Sequence, residues 1–300
     1  MTVVIAMLLD ALLGEPDWIW RRVPHPAVLM GRAIGWLDER FNRGSMIVGG
    51  AVFAALVAAA GALGLLLSAL GPVVEILIGA VLIAQKSLVQ HVRAVASGLR
   101  FSLAEGRRNV GMIVGRDTGG MDRAAVARGA IESAAENLSD GVIAPVFWFL
   151  VGGLPGLLIY KVTNTADSMI GYRTARYERF GKAAARFDDL LNVVPARLSA
   201  VLILAAHFRP DAWGAVRADA PKHRSPNAGW PEAAMAQVLG VALSGPRTYD
   251  GQMRDYPWVN IGGRRMLTHE DIDRAAGALW RTWALLFGLI AAGVMIIAVV

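Results

Sequence analysis

Glu132, Glu136 and Asp140 recur at i, i+4 and i+8, which on an α-helix sets three carboxylates along one face. Like charges in that arrangement repel. Arg128, four residues before Glu132, would compensate in part, and a divalent metal would do so more fully. A solvated acidic face is the alternative. Asn137 and the Asp140-Gly141 turn add oxygen donors, and hard oxygen ligands in a chain without cysteine suit Mg²⁺. A second set follows at Lys161, Asn164, Asp167, Ser168 and Tyr172, with the first three at helical spacing. Ionisable groups at a bilayer edge are costly unless they are used. Lys161 alone would read as a snorkelling anchor. With Asn164 and Asp167 on the same stripe it reads as part of a phosphate or metal site.

Arg173, Arg176, Arg179, Lys182 and Arg186 then form a basic run, closed by Asp188-Asp189, Asn192 and Arg197. Guanidinium forks match phosphate and carboxylate oxygens. A basic segment beside a membrane would explain the arginines, though not the paired aspartates. The glycine-bounded loop Gly115 to Gly120 offers Arg116, Asp117 and Thr118. Of five histidines, His25 stands on a rigid Pro-His-Pro turn and is a candidate ligand or base. His91, His207, His223 and His269 have no partner at metal-binding spacing and read as structural or interfacial. No phosphate-binding loop, dinucleotide fingerprint or nucleophile elbow occurs, so any nucleotide is bound by another device.

The composition says where these groups must work. The 300 residues are 55% hydrophobic and 18% charged, with mean hydropathy +0.45, too apolar for an ordinary soluble chain. The absence of cysteine removes thiol catalysis, thiolate metal sites and disulfides together. Thirty Lys and Arg against 24 Asp and Glu leave +6, which a membrane accounts for without a nucleic-acid partner.

A hydrocarbon core of about 30 Å needs roughly 20 apolar residues in a helix. Segments 46–70 and 73–90 carry one formal charge, Glu75, up to Gln85 and are divided at Gly71-Pro72, so they read as a helical hairpin. Segment 279–300 reads as a C-terminal anchor, with Trp280 and Trp283 as an interfacial belt. Segment 1–13 reads as a retained first membrane helix, since it has no basic leader and Asp10 with Gly14-Glu15-Pro16 replaces a cleavage site. Segment 142–160 is interrupted by Gly152-Gly153-Leu154-Pro155-Gly156, which fits a re-entrant or broken helix or a kinked span. Segment 193–208 is short and contains Pro195 and Arg197.

The fold expected is an all-α, polytopic integral membrane bundle in one domain, with large helical loops at 14–45, 91–141, 161–192 and 209–278. Arginine-rich segments 14–45 and 91–141 flank the hairpin, so the positive-inside rule puts both in the cytoplasm. Segments 165–192 and 209–278 are basic too, which conflicts with simple alternation if both irregular stretches cross fully; a re-entrant 142–160 relieves part of that conflict.

The long composite motifs carry a resemblance. Asp10 to Pro16, His25-Pro26 with Met30-Gly31, Gly115 to Thr118, Ile131 to Gly141, Tyr160 to Tyr172, Arg179 to Leu198 and Ser225 to Ala234 occur in the order seen in the CobD/CbiB family of cobalamin biosynthesis, which this chain resembles over about residues 8–255. The resemblance implies an adenosylcobinamide-phosphate synthase of the inner membrane, multi-pass, its site facing the cytoplasm. Such an enzyme joins adenosylcobyric acid to (R)-1-amino-2-propanol or its O-phosphate, with ATP and Mg²⁺. The roles it suggests are Glu132, Glu136, Asp167 and Lys161 in catalysis, and Glu132, Glu136, Asp140, Asp167, Asp188 and Asp189 on metal. His25, Arg116, Asp117, Thr118, Asn137, Asn164, Ser168, Tyr172, Arg173, Arg176, Arg186, Asn192, Arg197, Ser225 and Asn227 would bind substrate or phosphate. Trp213, Trp230, Tyr249, Tyr256 and Trp258 would wall a corrinoid cleft. Self-association or association with other enzymes of the pathway is an expectation of the same kind.

Two other classes compete. An intramembrane Mg²⁺-dependent alcohol or prenyl transferase would share acidic helices, yet the interval from Gly181 to Asp188 does not match the CDP-alcohol transferase pattern. A small-molecule transporter would set its polar groups mid-span, whereas here they gather just outside the apolar runs.

Overall fold

A computed structural model describes residues 1–249 and 252–299; the side chains of Asp17, Thr248, Tyr249, Gln252, Met253 and Val299 are outside that description. Its helices in chain order are α1 (Thr2–Leu13), α2 (Asp17–Trp20), α3 (Pro26–Phe41), α4 (Met46–Ser68), α5 (Pro72–Leu82), α6 (Gln85–Phe101) and α7 (Leu103–Val110), then α8 (Arg123–Leu138), α9 (Ala144–Ile170), α10 (Lys182–Leu191), α11 (Val193–Ala206), α12 (Trp213–Asp219), α13 (Gly229–Leu239) and α14 (His269–Val299). Sheet is confined to two antiparallel pairs, β1 (Leu243–Ser244) with β4 (Trp258–Val259) and β2 (Arg247–Tyr249) with β3 (Gln252–Arg254). The all-α expectation holds.

Four helical runs are long and apolar enough to cross a membrane: Met46–Ser68, Pro72–Phe101, Arg123–Ile170 and His269–Ala298. A fifth forms if α10 and α11, bent by 42° at Asn192, make one broken span. Several boundaries move from the sequence reading. The apolar run 73–90 breaks at Ile83-Ala84, and α14 begins ten residues before 279. The helical loop expected at 161–192 holds the end of α9, to Ile170, and all of α10 from Lys182. Hydropathy marks where charge begins, whereas backbone hydrogen bonding decides where a helix ends.

Contacts divide the chain into two compact units, one of Met1–Ala84 with Asp140–Val193 and the other of Gln85–Ser139 with Val194–Val300. Each is assembled from separated stretches, and no linker composition marks the joins. A sequence without Gly/Ser or Pro-rich boundaries therefore reads as a single domain.

In the first unit, α4 packs on α9 through small residues, the usual way helices approach closely in lipid. A Cβ on Gly64 would lie 2.5 Å from Pro155 Cα, and one on Gly61 would lie 3.3 Å from Ile159 Cδ1. α9 is broken where the sequence suggested: Gly153 has φ 60° and ψ −155°, open to glycine and strained for any other residue, and Pro155 two residues on has no N–H to continue the ladder. Beyond the break, buried Tyr160 packs with Ala144 and Leu191, against Trp148 and Phe187.

In the second unit, α8 lies against α6, α7, α13 and α14. Asp122 starts α8 by accepting the Ala125 N–H at 2.7 Å. Almost every residue of the helix from Ala124 to Ala135 is buried. Arg100 of α6 pairs with Asp273 of α14 at 2.8 Å.

Gly64→Ala should lower the unfolding temperature of the detergent-solubilised protein, because the added methyl meets backbone that cannot swing aside. Overpacking of this kind costs about 1–3 kcal/mol. Gly50→Ala, with nothing within 4 Å of the new Cβ, is the matched control.

Candidate functional site

Two polar clusters are built on these frames, one in each unit. In the first unit, the end of α9 and the end of α10 bring Asn164, Asp167, Asp188 and Asn192 together. Asp188 is 8% exposed, and its described side-chain partners are amides. Asn164 Nδ2 donates to its Oδ1 at 3.3 Å, and Asn192 Nδ2 donates to its Oδ2 at 3.1 Å. The Tyr160 hydroxyl lies 3.0 Å from Asn192 Oδ1 and 3.1 Å from the Asp140 carbonyl oxygen. Asn192 is thereby clamped in one orientation. Asp167 lies close enough to Asp188 for the two charges to repel. Asp189 stands on the other flank, near Arg173 and Arg186. Lys161 is within electrostatic reach of Asp140, Glu15 and His25.

A buried carboxylate solvated only by neutral amides, with a second carboxylate beside it, is short of positive charge. Among the described residues no group of three or more His, Asp and Glu is arranged to hold a metal ion, so an all-protein cage is absent there. Mg²⁺ does not need one; one or two carboxylates plus substrate phosphates suffice, and Asp167 with Asp188 fit that requirement.

In the second unit, Glu132 is the centre and is 3% exposed. Arg116 Nη2 contacts its Oε2 at 2.5 Å, the Ser244 N–H donates to Oε1 at 2.6 Å, and Arg247 approaches at 3.5 Å. Gly129, one turn before Glu132 on α8, leaves a lane for Arg116: a Cβ there would lie 2.9 Å from the guanidinium. Ser244 has φ 62°, a left-handed conformation uncommon for serine, and from it the N–H reaches Glu132. Glu132 is thus already matched by two cations and an amide. The expected row of Glu132, Glu136 and Asp140 also breaks, because a π-helical turn over Ser139–Ile143 follows α8. Asp140 then belongs to the first unit.

Around this ion pair lie residues that spacing did not single out. Glu232, 2% exposed, stands on α13, and His223 Nε2 is 3.5 Å from its Oε1. Burial, followed by Glu132 and Glu136, pushes the Glu232 pKa well up. Burial, followed by Arg247, pushes His223 down to about 4. Arg224 lies within electrostatic reach of Glu136, which is itself exposed. Glu232 falls inside the Ser225 to Ala234 motif, so that motif held the signal for it. His223, Arg224 and Arg247 had none in spacing, because loops deliver them.

The remaining expected residues have particular places. Arg176 pairs with Asp38 of α3 at 2.6 Å, with Asn42 also on Asp38 at 2.8 Å, so its guanidinium is engaged in tying a loop to α3. Arg197 donates to Asn227 Oδ1 at 3.0 Å and lies over Trp230, which faces Trp213. Ser225 Oγ accepts from the N–H groups of Asn227 and Ala228 and shapes that turn. Asn137 folds back onto Ser133 of its own helix. Asp117, Ser168 and Tyr172 are exposed, and Thr118 is half-buried on the Gly115 to Gly120 loop. His25 caps α3, with Nδ1 accepting from the Ala27 N–H at 3.1 Å, while burial lowers its pKa. Trp258 carries Arg128 and Arg265 at 5.0 and 4.7 Å, and Tyr256 carries Arg247; Tyr249 lies outside the described side chains.

The family model described as "CobD/Cbib protein" matches residues 3–279 of this chain. The chain belongs to the CobD/CbiB family. Among its relatives, the cobalamin biosynthesis protein CobD of Rhizobium meliloti is 52% identical over 91% of this chain and 90% of that protein. Those of Brucella anthropi and Rhodobacter capsulatus are 48% and 47% identical, over 97% and 86% of this chain and 96% and 85% of theirs. No solved structure matches it.

Arg116→Ala should destabilise the protein by about 3 kcal/mol, since it strips a buried carboxylate of its nearest cation. Adding Glu132→Gln should restore most of the loss in chemical or thermal unfolding. His223 has a folded pKa below its unfolded value, so the unfolded chain takes up that proton first as pH falls. Stability is lost between pH 6.5 and 4, by up to about 3 kcal/mol. His223→Gln should remove that share of the loss when unfolding at pH 7 and pH 5 is compared.

Proposed function

We propose that this chain is an integral membrane enzyme of cobalamin biosynthesis that forms an amide bond with the energy of ATP. It joins the free propionate of adenosylcobyric acid to (R)-1-amino-2-propanol or its O-phosphate. Family membership and the names of the relatives support the pathway. The observation that carries the chemistry is Asp188, buried, held by neutral amides and set beside Asp167. The arginine-rich segments around it support a site facing the cytoplasm at the inner membrane.

A carboxylate and an amine do not condense favourably in water, so the acid must first be activated. The propionate oxygen attacks the γ-phosphorus of ATP, the bond to the β-phosphate oxygen breaks, and ADP leaves behind an acyl phosphate. The amine nitrogen then attacks the acyl carbon, the carbon–oxygen bond to phosphate breaks, and the nitrogen gives up a proton to a base.

Asp167 and Asp188 would hold the Mg²⁺ of the nucleotide, with Asn164 and Asn192 orienting Asp188. That ion, when bound, neutralises charge on the phosphoryl oxygens. Lys161, Arg173 and Arg186 supply fixed positive charge toward phosphate. The apolar packing of Tyr160 and Trp148 beside Asp188 and Asn192 would help keep water from the acyl phosphate.

Purified protein given cobyric acid, ATP-Mg²⁺ and each amine in turn should yield the amide and ADP, read by mass spectrometry of corrinoid and nucleotide. Asp167→Asn and Asp188→Asn should each cut the rate by about 100-fold or more at unchanged unfolding temperature. Wild-type turnover in both variants would remove the pair from the site. A wild-type protein that consumes no ATP with either amine would end the ligase reading.

A further inference from the structure

Nothing described donates to Glu232 Oε2, although the residue is 2% exposed. A carboxyl oxygen buried in that state forgoes hydration without a replacement. What surrounds it defines the missing group. The Ser225 N–H donates to His223 Nδ1 at 3.0 Å, so the imidazole proton resides on Nε2, the atom 3.5 Å from Glu232 Oε1. One carboxyl oxygen therefore faces a neutral N–H, and the other faces none. The charges around the pair are Glu132 and Glu136 on α8, with Arg116, Arg224 and Arg247 from the loops. Arg116 and Arg247 are turned to Glu132, which leaves Glu232 with no ion pair to either among the described contacts.

A metal ion would also fill a bare carboxyl oxygen. His223, however, has its Nδ1 committed to a backbone N–H and presents a proton on Nε2, so it offers no lone pair to a cation. The missing group is a small hydrogen-bond donor, and one carrying positive charge would also hold Glu232 in its ionised form against burial and the two neighbouring carboxylates.

We infer that Glu232, backed by His223, is the receptor for the ammonium group of a small primary amine. Its N–H would donate to Oε2 while His223 holds Oε1. The ammonium site rests on the geometry of Glu232 and His223. Only the choice of amines tested below rests on the function proposed above.

Full-length protein in detergent would be titrated calorimetrically with (R)-1-amino-2-propanol, its O-phosphate and 1,2-propanediol, the last replacing the ammonium with a neutral hydroxyl. Wild-type protein should bind both amines and not the diol. Glu232→Gln, which keeps the shape of the side chain, should weaken both amines at least tenfold while ATP binding is unchanged. Equal affinity in Glu232→Gln, equal binding of the diol, or no amine binding by wild-type protein would overturn the site. If that variant does not fold, labelling of wild-type protein with a hydrophobic carbodiimide decides. Either amine, and not the diol, should slow modification of Glu232 mapped by mass spectrometry, and an unaltered rate would overturn the inference. Amine binding without amide formation would end the ligase reading and keep the site. Amide formation with unaltered amine affinity in Glu232→Gln would do the reverse.

Discussion

A carboxylate taken out of water has to be compensated where it stands, and this chain does so in two opposite ways. Glu132 is matched within the fold by Arg116, Arg247 and the Ser244 N–H, and nothing is left for it to recruit. Asp188 is given only the amides of Asn164 and Asn192, with Asp167 near enough to repel. Both side chains are acidic and both are buried. One is compensated in charge within the fold, and the other has no cation among its described partners. A stretch of negative residues in a sequence does not distinguish these cases, because the distinction lies in who the neighbours are.

The geometry behind the open cluster depends on backbone features that local chemistry explains. Gly153 supplies a positive φ, and Pro155 removes a donor, so α9 breaks within its apolar half and resumes with Tyr160, Asn164 and Asp167 on its far part. Gly64 lets α4 come within contact of that break. Tyr160 then fixes Asn192, and Asn192 fixes Asp188. Each link is short, so the position of Asp188 is set by packed side chains and not by a mobile loop. In the second unit Gly129 does comparable work for Arg116 by leaving out one methyl group.

Both units also hold cations on aromatic rings, Arg176 over Tyr177 in the first among them. Arg197 over Trp230 and Arg128 and Arg265 over Trp258 place guanidinium groups on aromatic faces. There, charge is partly compensated by the ring and the apolar stem is covered. Arginine in this chain therefore does more than mark the inner side of a membrane. Arg176, in a basic run that looks made for phosphate, spends its charge on Asp38.

Sequence alone determined what depends on neighbours along the chain. The helical class, the apolar runs, the break at Gly152 to Gly156, the helical stripe of Lys161, Asn164 and Asp167, and the ordered family motifs are all of that kind, since periodicity and backbone chemistry are local. It did not reveal the division into two discontinuous units, for which the joins carry no compositional mark. Nor did it reveal that the helical face holding Glu132 and Glu136 ends at a π-turn before Asp140. His223 looked inert because its partner, Glu232, is nine residues away in the chain and reaches it only through a turn that Ser225 shapes. Arg247 is 115 residues from Glu132 and meets it only across the fold. Charge compensation acts through space, with strength set by distance and burial. Which acids are satisfied and which are left wanting was therefore decided by the tertiary structure.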